Sequence, residues 1–298
     1  MNQRNTRTEW DSYHPIVLFC YFLLVLVIAM TSTHPVFLAE VLLTGFLYSA
    51  RLKGSHVWRV NLALLLGLIL FMTLINGLFS HNGITVLFYL NGNRITGEAL
   101  LYGAGMAILL CGVILWFSCC TQIMNEEKIL YLFGRAAPVL ALMVSMTMRF
   151  VPLFVDRFHQ IHQAQRCMGR QGGSLLRKIR QYGKELSILV SWSLEASIET
   201  ADSMAARGYG LRGRSSFHRF CFQRRDGGML LLILALAAFL LPGCFRGENA
   251  MYYYPGIYIK PVNYLFVVSA CGYGLLLLLP MGVELWGEKK WKQLMYKI

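Results

Sequence analysis

Charge is what this sequence has least of. Only 14% of its 298 residues are Asp, Glu, Lys or Arg, while 56% are hydrophobic. That apolar share exceeds the share in ordinary globular proteins and argues against a soluble monomer. Acid is the scarcer sign, with 15 Asp and Glu against 28 Lys and Arg and a formal net charge of +13. In a hydrophilic chain such an excess points to nucleic acid; in an apolar chain it points to membrane orientation. Metal-binding and disulfide patterns are missing as well. Cys20, Cys111, Cys119, Cys120, Cys167, Cys221, Cys244 and Cys271 lie mostly inside apolar runs, with no C-x-x-C pair and no His at ligand spacing. This argues against a zinc site and against a disulfide framework.

Catalytic signatures are equally scarce. No stretch matches the phosphate-cradling G-x-x-x-x-G-K-[ST] pattern. Tyr182-Gly183-Lys184-Glu185 has the Gly-Lys but neither the following hydroxyl nor the earlier glycine. There is no pair of carboxylate-rich motifs for magnesium diphosphate and no Ser/His/Asp set. The expectation is a chain without enzymatic activity of its own, and without catalytic, cofactor-binding or metal-binding residues.

What is present is a succession of long apolar runs. A membrane span needs about 20 mostly apolar residues, somewhat fewer when polar flanks snorkel. Six stretches qualify or nearly do: Ile16–Met30, Val36–Ala50, Leu62–Phe79, Ala99–Cys120, Met229–Phe245 and Val262–Val283. The first resembles a signal peptide but lacks a small-residue cleavage site, and reads as a retained span. The linker Thr31-Ser32-Thr33-His34-Pro35 is short enough to force spans one and two into an antiparallel hairpin.

Six spans put both termini on one side. With that side inside, 25 of the 28 Lys and Arg residues are internal, and only Arg94, Arg246 and Lys260 fall outside. The long central segment is discounted in a rule about short loops, but the N-terminus, the Arg51–Arg59 loop and the C-terminal lysines agree with it. Both termini are expected in the cytoplasm, in a multi-pass protein of the cell (plasma) membrane.

Outside, Val86–Thr96 alternates around Asn91-Gly92, a dipeptide suited to a tight turn, and predicts a β-hairpin. Tyr252, Tyr253, Tyr254 and Tyr258 read as an interfacial aromatic belt rather than a binding box. Glu40 lies near the start of the second span, where it is either a residue of the outer interface or a transport or partner contact. Glu98 opens the fourth span as a helix N-terminal acid.

The hundred or so residues between spans four and five are too polar to insert whole and too apolar for a loop. Leu140–Met148 is apolar, in or on the membrane. Beyond it Val151, Phe154, Val155, Phe158, Ile161 and Met168 recur at helical spacing, predicting an amphipathic helix ended by Gly169. After Gly172-Gly173-Ser174, the basic and aliphatic Leu175–Arg180 suits a headgroup surface. A second long helix is predicted over Leu186–Arg207, with Glu195, Glu199 and Asp202 opposite its apolar stripe. It closes on Ala206-Arg207-Gly208, with glycine suited to a left-handed cap. Arg207 is suited either to a bidentate pairing with carboxylates on a soluble partner or to capping carbonyls and lipid phosphate. Asp156, His159 and His162 share a face, read as a polar stripe rather than a metal site. Arg212, Arg214, Arg219 and Arg224 read as a positive-inside anchor rather than a nucleic-acid site.

These residues carry a resemblance. Ala205-Ala206-Arg207-Gly208-Tyr209-Gly210-Leu211, followed by Gly213-Arg214-Ser215-Ser216-Phe217, resembles the second Ala-Arg-Gly signature of the membrane T component of energy-coupling factor (ECF) transporters. Arg149-Phe150-Val151-Pro152-Leu153 with Ala164-Gln165-Arg166 resembles the run leading to the first signature, and Asp11 with His14-Pro15 resembles the N-terminal entry. The likeness covers most of the chain and is weakest between Arg51 and Asn93 and after Cys244.

The resemblance implies two coupling helices crossing in an X, each tip docking in a groove of one of two ATP-binding-cassette (ABC) ATPases. It also implies a small membrane S component that captures a vitamin or a transition-metal ion. Ala206, Arg207 and Gly208 match the second motif. The first departs from the pattern: Cys167-Met168-Gly169 stands where Ala-Arg-Gly is expected, leaving the contact to Arg166, to Arg170 or to apolar packing by Met168.

The expectation is therefore an all-α integral membrane protein of about six transmembrane helices plus two long cytoplasmic amphipathic coupling helices. Residues 1–120 hold spans one to four, 121–228 the coupling region, and 229–298 spans five and six with a basic tail. Its implied role is the energy-coupling subunit of an ECF-type importer, with two ABC ATPases, an S component and the bilayer as partners and no nucleic acid. The alternatives are an ordinary ABC permease with its own pathway, disfavoured because six spans are few and Glu40 is the only clear ionisable residue well inside one, and an intramembrane lipid-modifying enzyme, disfavoured by the lack of clustered acids or histidines.

Overall fold

The computed structural model describes residues 9–80, 82–90, 93–168, 175–209, 211, 220–247, 249–254, 256, 258 and 263–296. After a 3-10 turn at Trp10–Ser12 come α1 (Pro15–Thr31), α2 (Pro35–Lys53) and α3 (Ser55–Phe79), then β1 (Val86–Leu90) and β2 (Asn93–Thr96). The helices α4 (Gly97–Ile123), α5 (Glu126–Ala136), α6 (Pro138–Cys167), α7 (Leu175–Ala206), α8 (Arg224–Phe245) and α9 (Tyr264–Met295) complete the chain.

Two helices start in the same way. His14 and His34 take extended backbone conformations, Pro15 and Pro35 occupy the first helical turn, and each imidazole Nδ1 accepts from the backbone N–H two residues on, at 3.3 Å. Proline loses nothing there, because the first N–H groups of a helix have no partner inside it. The histidine side chain satisfies one of the remaining donors as an N-cap does.

The described residues fall into two compact units, 1–128 with 220–298, and 129–219. In the first, α1, α2, α4, α8 and α9 pack around Tyr21, Phe22, Phe37, Tyr48, Trp116 and Tyr273, and α3 packs on α4 through Leu65, Cys111 and Leu115. Apolar burial gives little drive between helices in lipid, so close approach and hydrogen bonds carry the association. The Tyr21 hydroxyl donates to the Leu276 carbonyl at 3.1 Å, Tyr273 to Val25 at 3.2 Å, Tyr48 to Glu284 at 3.2 Å, and the Trp116 indole to Val41 at 3.2 Å. Along α4, Gly103 and Gly112 sit so close to Asn76 and Val41 that a Cβ at either position would clash.

Six helices among the described residues are long and apolar enough to cross a membrane: α2, α3 from Asn61, α4, α6, α8 and α9. The chain is a multi-pass membrane protein. Five of the six expected spans meet that requirement. The first, α1, has 17 residues, or about 26 Å, at the lower limit for a span. The sixth long apolar helix is α6, whose opening stretch the sequence left between membrane and surface. The short α5 was not anticipated.

The β-hairpin forms as expected, antiparallel with Val86 opposite Thr96 and Tyr89 opposite Arg94 and a bulge between Val86 and Phe88. Its Asn91-Gly92 turn lies outside the described residues. Glu98, in the first turn of α4, accepts the Thr85 N–H at 3.1 Å and so ties the hairpin to the helix. The tyrosine loop divides its work. Tyr252 and Tyr258 are exposed, as in an interfacial belt. Tyr253 donates to the Thr33 carbonyl at 3.3 Å, and the Tyr254 hydroxyl meets Ser80 Oγ at 3.2 Å.

The second unit is dominated by α6 and α7. The sequence places a surface segment at Leu175–Arg180 and a separate helix from Leu186, whereas α7 is one helix of 32 residues from Leu175 to Ala206. Lys and Arg are good helix formers and no proline interrupts the run, so the basic segment forms its opening turns.

Candidate functional site

Contacts between α6 and α7 run in opposite senses along the chain. Phe154 meets Trp192 edge-on at 6.2 Å, Phe158 stacks with Tyr182 at 6.5 Å, and His162 with Tyr182 at 5.9 Å. The pair is an antiparallel hairpin. Glu185 is fully buried within it, its carboxylate 3.0 Å from His162 Nδ1 and accepting from Gln181 Nε2 at 3.0 Å. His162 is thereby turned from Asp156 and His159 toward the other helix. Among the described residues no group of three or more His, Cys, Asp or Glu is placed to hold a metal ion.

The sequence-derived tip residues sit at opposite ends of this hairpin. At the end of α7, the Tyr209 N–H reaches back to the Met204 carbonyl at 3.1 Å and the Gly208 N–H to Ala205 at 3.0 Å, with Gly208 at φ +74°. This is the Schellman arrangement, with glycine in the left-handed position and Arg207 as the C-cap. It supplies a physical reason for an Arg-Gly pair: glycine turns the chain, and the preceding side chain projects from the helix end, where a cation is favoured by the dipole. Arg207 is exposed. With Arg149, Glu199, Ser145, Ser203 and Tyr209 it lines a cleft of about 490 Å³ between the α6 start and the α7 end.

At the other tip the C-cap of α6 is Met168, whose N–H donates to the Ala164 carbonyl at 3.2 Å, and whose side chain is 62% exposed. Met168 thus holds on α6 the position that Arg207 holds on α7. Arg166 is exposed two residues earlier, in the last turn. Gly169 and Arg170 lie outside the described residues, as do Gly210, Gly172 to Ser174 and the basic run 212–219. Since α7 rises about 1.5 Å per residue, the two tips stand about 40 Å apart along the hairpin.

Apolar side chains on both helices are uncovered. Leu142, Met143, Val151, Leu186, Leu194 and Ile198 are exposed, and Glu185 is the one buried side chain of the two helices among the described residues. Patches of this kind mark contact with lipid or with other proteins. The His162–Glu185 lock escaped the sequence reading, because periodicity pairs residues within one helix and carries no register between two. In the transmembrane unit, Glu40 is half-buried beside Gly274, with one carboxylate oxygen buried and without a hydrogen-bond partner.

Comparison with known proteins gives a consistent result. A family model described as cobalt transport protein (CbiQ) matches residues 5–218. The chain is similar to the energy-coupling factor transporter transmembrane protein EcfT of Streptococcus equi subsp. equi, at 28% identity over 249 residues, covering 79% of this chain and 90% of that protein. It is similar to the protein of the same name from Lactococcus lactis subsp. cremoris, at 30% identity over 217 residues, covering 68% and 79%. The corresponding Bacillus subtilis protein is 26% identical over 191 residues, covering 58% and 70%.

Proposed function

The chain belongs to the cobalt transport protein (CbiQ) family, and from that membership we propose that it is the energy-coupling transmembrane subunit of an ECF-type importer. Relatives named energy-coupling factor transporter transmembrane protein support this reading. The observation that carries it is the end of α7, where Arg207 caps the helix and projects beside the glycine turn. A guanidinium so held is suited to bidentate pairing with carboxylates in a groove of an ABC ATPase.

Hydrolysis of ATP falls to two such ATPases, and this chain contributes no catalytic group. One ATPase takes the Arg207 tip, with Ala206 and Gly208. The other takes the far tip, where Met168 offers an apolar contact flanked by Arg166, Gly169 and Arg170. The separation of the tips suits two partners better than one. The uncovered apolar faces of α6 and α7 then meet the bilayer and an S component that binds a vitamin or a transition-metal ion. Closure of the ATPase pair moves the tips, and the hairpin transmits the movement, acting as the two-state element that coupling requires. The protein resides in the plasma membrane with both termini in the cytoplasm, as its distribution of Lys and Arg supports.

Tagged co-purification of the full chain with its native neighbours tests the reading. Two ABC ATPases and a small membrane protein are expected to come with it. Arg207→Glu combined with Arg170→Glu is expected to lose the ATPases while membrane insertion persists. Unchanged complex yield would overturn the docking assignment.

A further inference from the structure

The transmembrane unit carries a second cleft, of about 370 Å³, formed by the residues before α1, the start of α8 and the last turns of α9. From α9 it is lined by Val283, Trp286, Lys290, Trp291 and Leu294, and facing them are Glu9, Tyr13 and Arg225. The cations are held rather than loose. The Arg225 guanidinium lies 4.8 Å from the Tyr13 ring centre, and its Nη2 donates to the Ser12 carbonyl at 3.1 Å. The Lys290 ammonium lies 5.2 Å from the centre of the Trp286 ring.

The acids nearby are engaged. Glu9 accepts the Trp291 indole N–H at 3.1 Å. Asp226 lies 3.8 Å from Arg225 Nε, and its other oxygen accepts the Gln223 N–H at 2.9 Å in the cap of α8. Glu9 is thus turned to the indole and Asp226 to the cap of α8, while Arg225 and Lys290 both line the cleft.

Depth identifies what such a cleft meets. The 32 residues of α9 extend about 48 Å, against a hydrocarbon core of about 30 Å. A span opening at Tyr264 therefore leaves the core near Val283, and the turns bearing Lys289, Lys290 and Lys292 project beyond it. Helices α1 and α8 begin beside these turns, at Pro15 and Arg224, with Tyr13 and Arg225 lining the same cleft as Trp286 and Lys290. Trp286 and Trp291 are 67% and 62% exposed, as expected for indoles in the interfacial belt.

We propose that this cleft binds an anionic glycerophospholipid. The phosphodiester sits between Arg225 and Lys290, and the glycerol and upper acyl chain run along Trp286 and Val283. Arg225 and Lys290 offer donors to a phosphodiester, and the apolar Val283 and Trp286 beside them give free inorganic phosphate nothing to contact. The site requires only that the chain spans a membrane, and stands apart from the ATPase docking proposed above.

Lipid retention by the full chain, released from nanodiscs of mixed phosphatidylglycerol and phosphatidylcholine and weighed by native mass spectrometry, tests the site. Phosphatidylglycerol is expected to be retained in preference to phosphatidylcholine. Arg225→Gln with Lys290→Gln is expected to weaken that retention about tenfold, whereas Lys289→Gln with Lys292→Gln, the same loss of charge outside the cleft, leaves it unchanged. Glu9→Gln is expected to strengthen it about threefold, a change of sign that misfolding does not produce. Equal weakening by the two double variants would mean diffuse attraction to the surface and would overturn the proposal. So would an unchanged affinity in Glu9→Gln, or displacement of the lipid by millimolar inorganic phosphate.

Discussion

Arg207 and Met168 occupy the same position at the ends of two helices, and only one of them is charged. At Arg207 the geometry depends on its neighbour. An alanine at Gly208 must adopt the left-handed backbone at φ +74°, at a cost of about 1 kcal/mol. Gly208→Ala is therefore expected to raise hydrogen exchange at the Tyr209 amide about fivefold and to lower the yield of co-purified ATPase. Exchange unchanged from the wild type would mean that the glycine does not set the tip. The histidine caps give a second expectation. Burial lowers the pKa of His14, partly offset by Asp226, and burial lowers that of His34. The unfolded chain then binds more protons than the folded one, so stability is full above the ordinary histidine pKa of about 6.5 and is lost as pH falls through it. Replacing both with Asn, which caps without titrating, is expected to flatten the fall in melting temperature between about pH 7 and about pH 5; a slope like that of the wild type would exclude the caps as its source.

At the scale of elements, what the sequence revealed and what it concealed divide along physical lines. Apolar length marked the spans, the Asn-Gly alternation marked the hairpin, and the Arg-Gly pair marked the end of α7, since each signal is local. The start of α7 was misplaced by 11 residues, from Leu175 to Leu186, because Arg177, Lys178 and Arg180 were read for their charge instead of their helix propensity. The Glu185 lock was invisible because it depends on the register of two helices. Glu185→Ala leaves His162 and Gln181 without their shared acceptor, at a cost of about 1–3 kcal/mol, while Glu185→Gln keeps an acceptor oxygen. Limited proteolysis of the hairpin is expected to accelerate in the Ala variant and much less in the Gln variant. Equal rates would mean that the lock holds nothing.

At the scale of the molecule, the transmembrane unit is assembled from the two ends of the chain. Tyr21 bonds to Leu276, Tyr273 to Val25 and Tyr48 to Glu284, whereas residues 129–219 form a unit of their own. The boundaries of that insertion converge on one place. The Lys128 ammonium donates to the Asp11 carbonyl at 2.8 Å and pairs with the Asp11 carboxylate, while Arg225 donates to the carbonyl of Ser12, the next residue. Adjacent Cα atoms stand about 3.8 Å apart, so the chain leaves and re-enters the transmembrane unit within the reach of two long side chains. A flexible linker of about 10 residues spans that gap. Replacing 129–219 with such a linker is therefore expected to leave a chain that inserts, stays monodisperse in detergent and unfolds near the wild-type temperature. In the same preparation the co-purifying ATPases are expected to be absent. A variant missing from the membrane fraction would show that the bundle needs the hairpin to fold. One that still recovered the ATPases would place their docking surface outside α6 and α7.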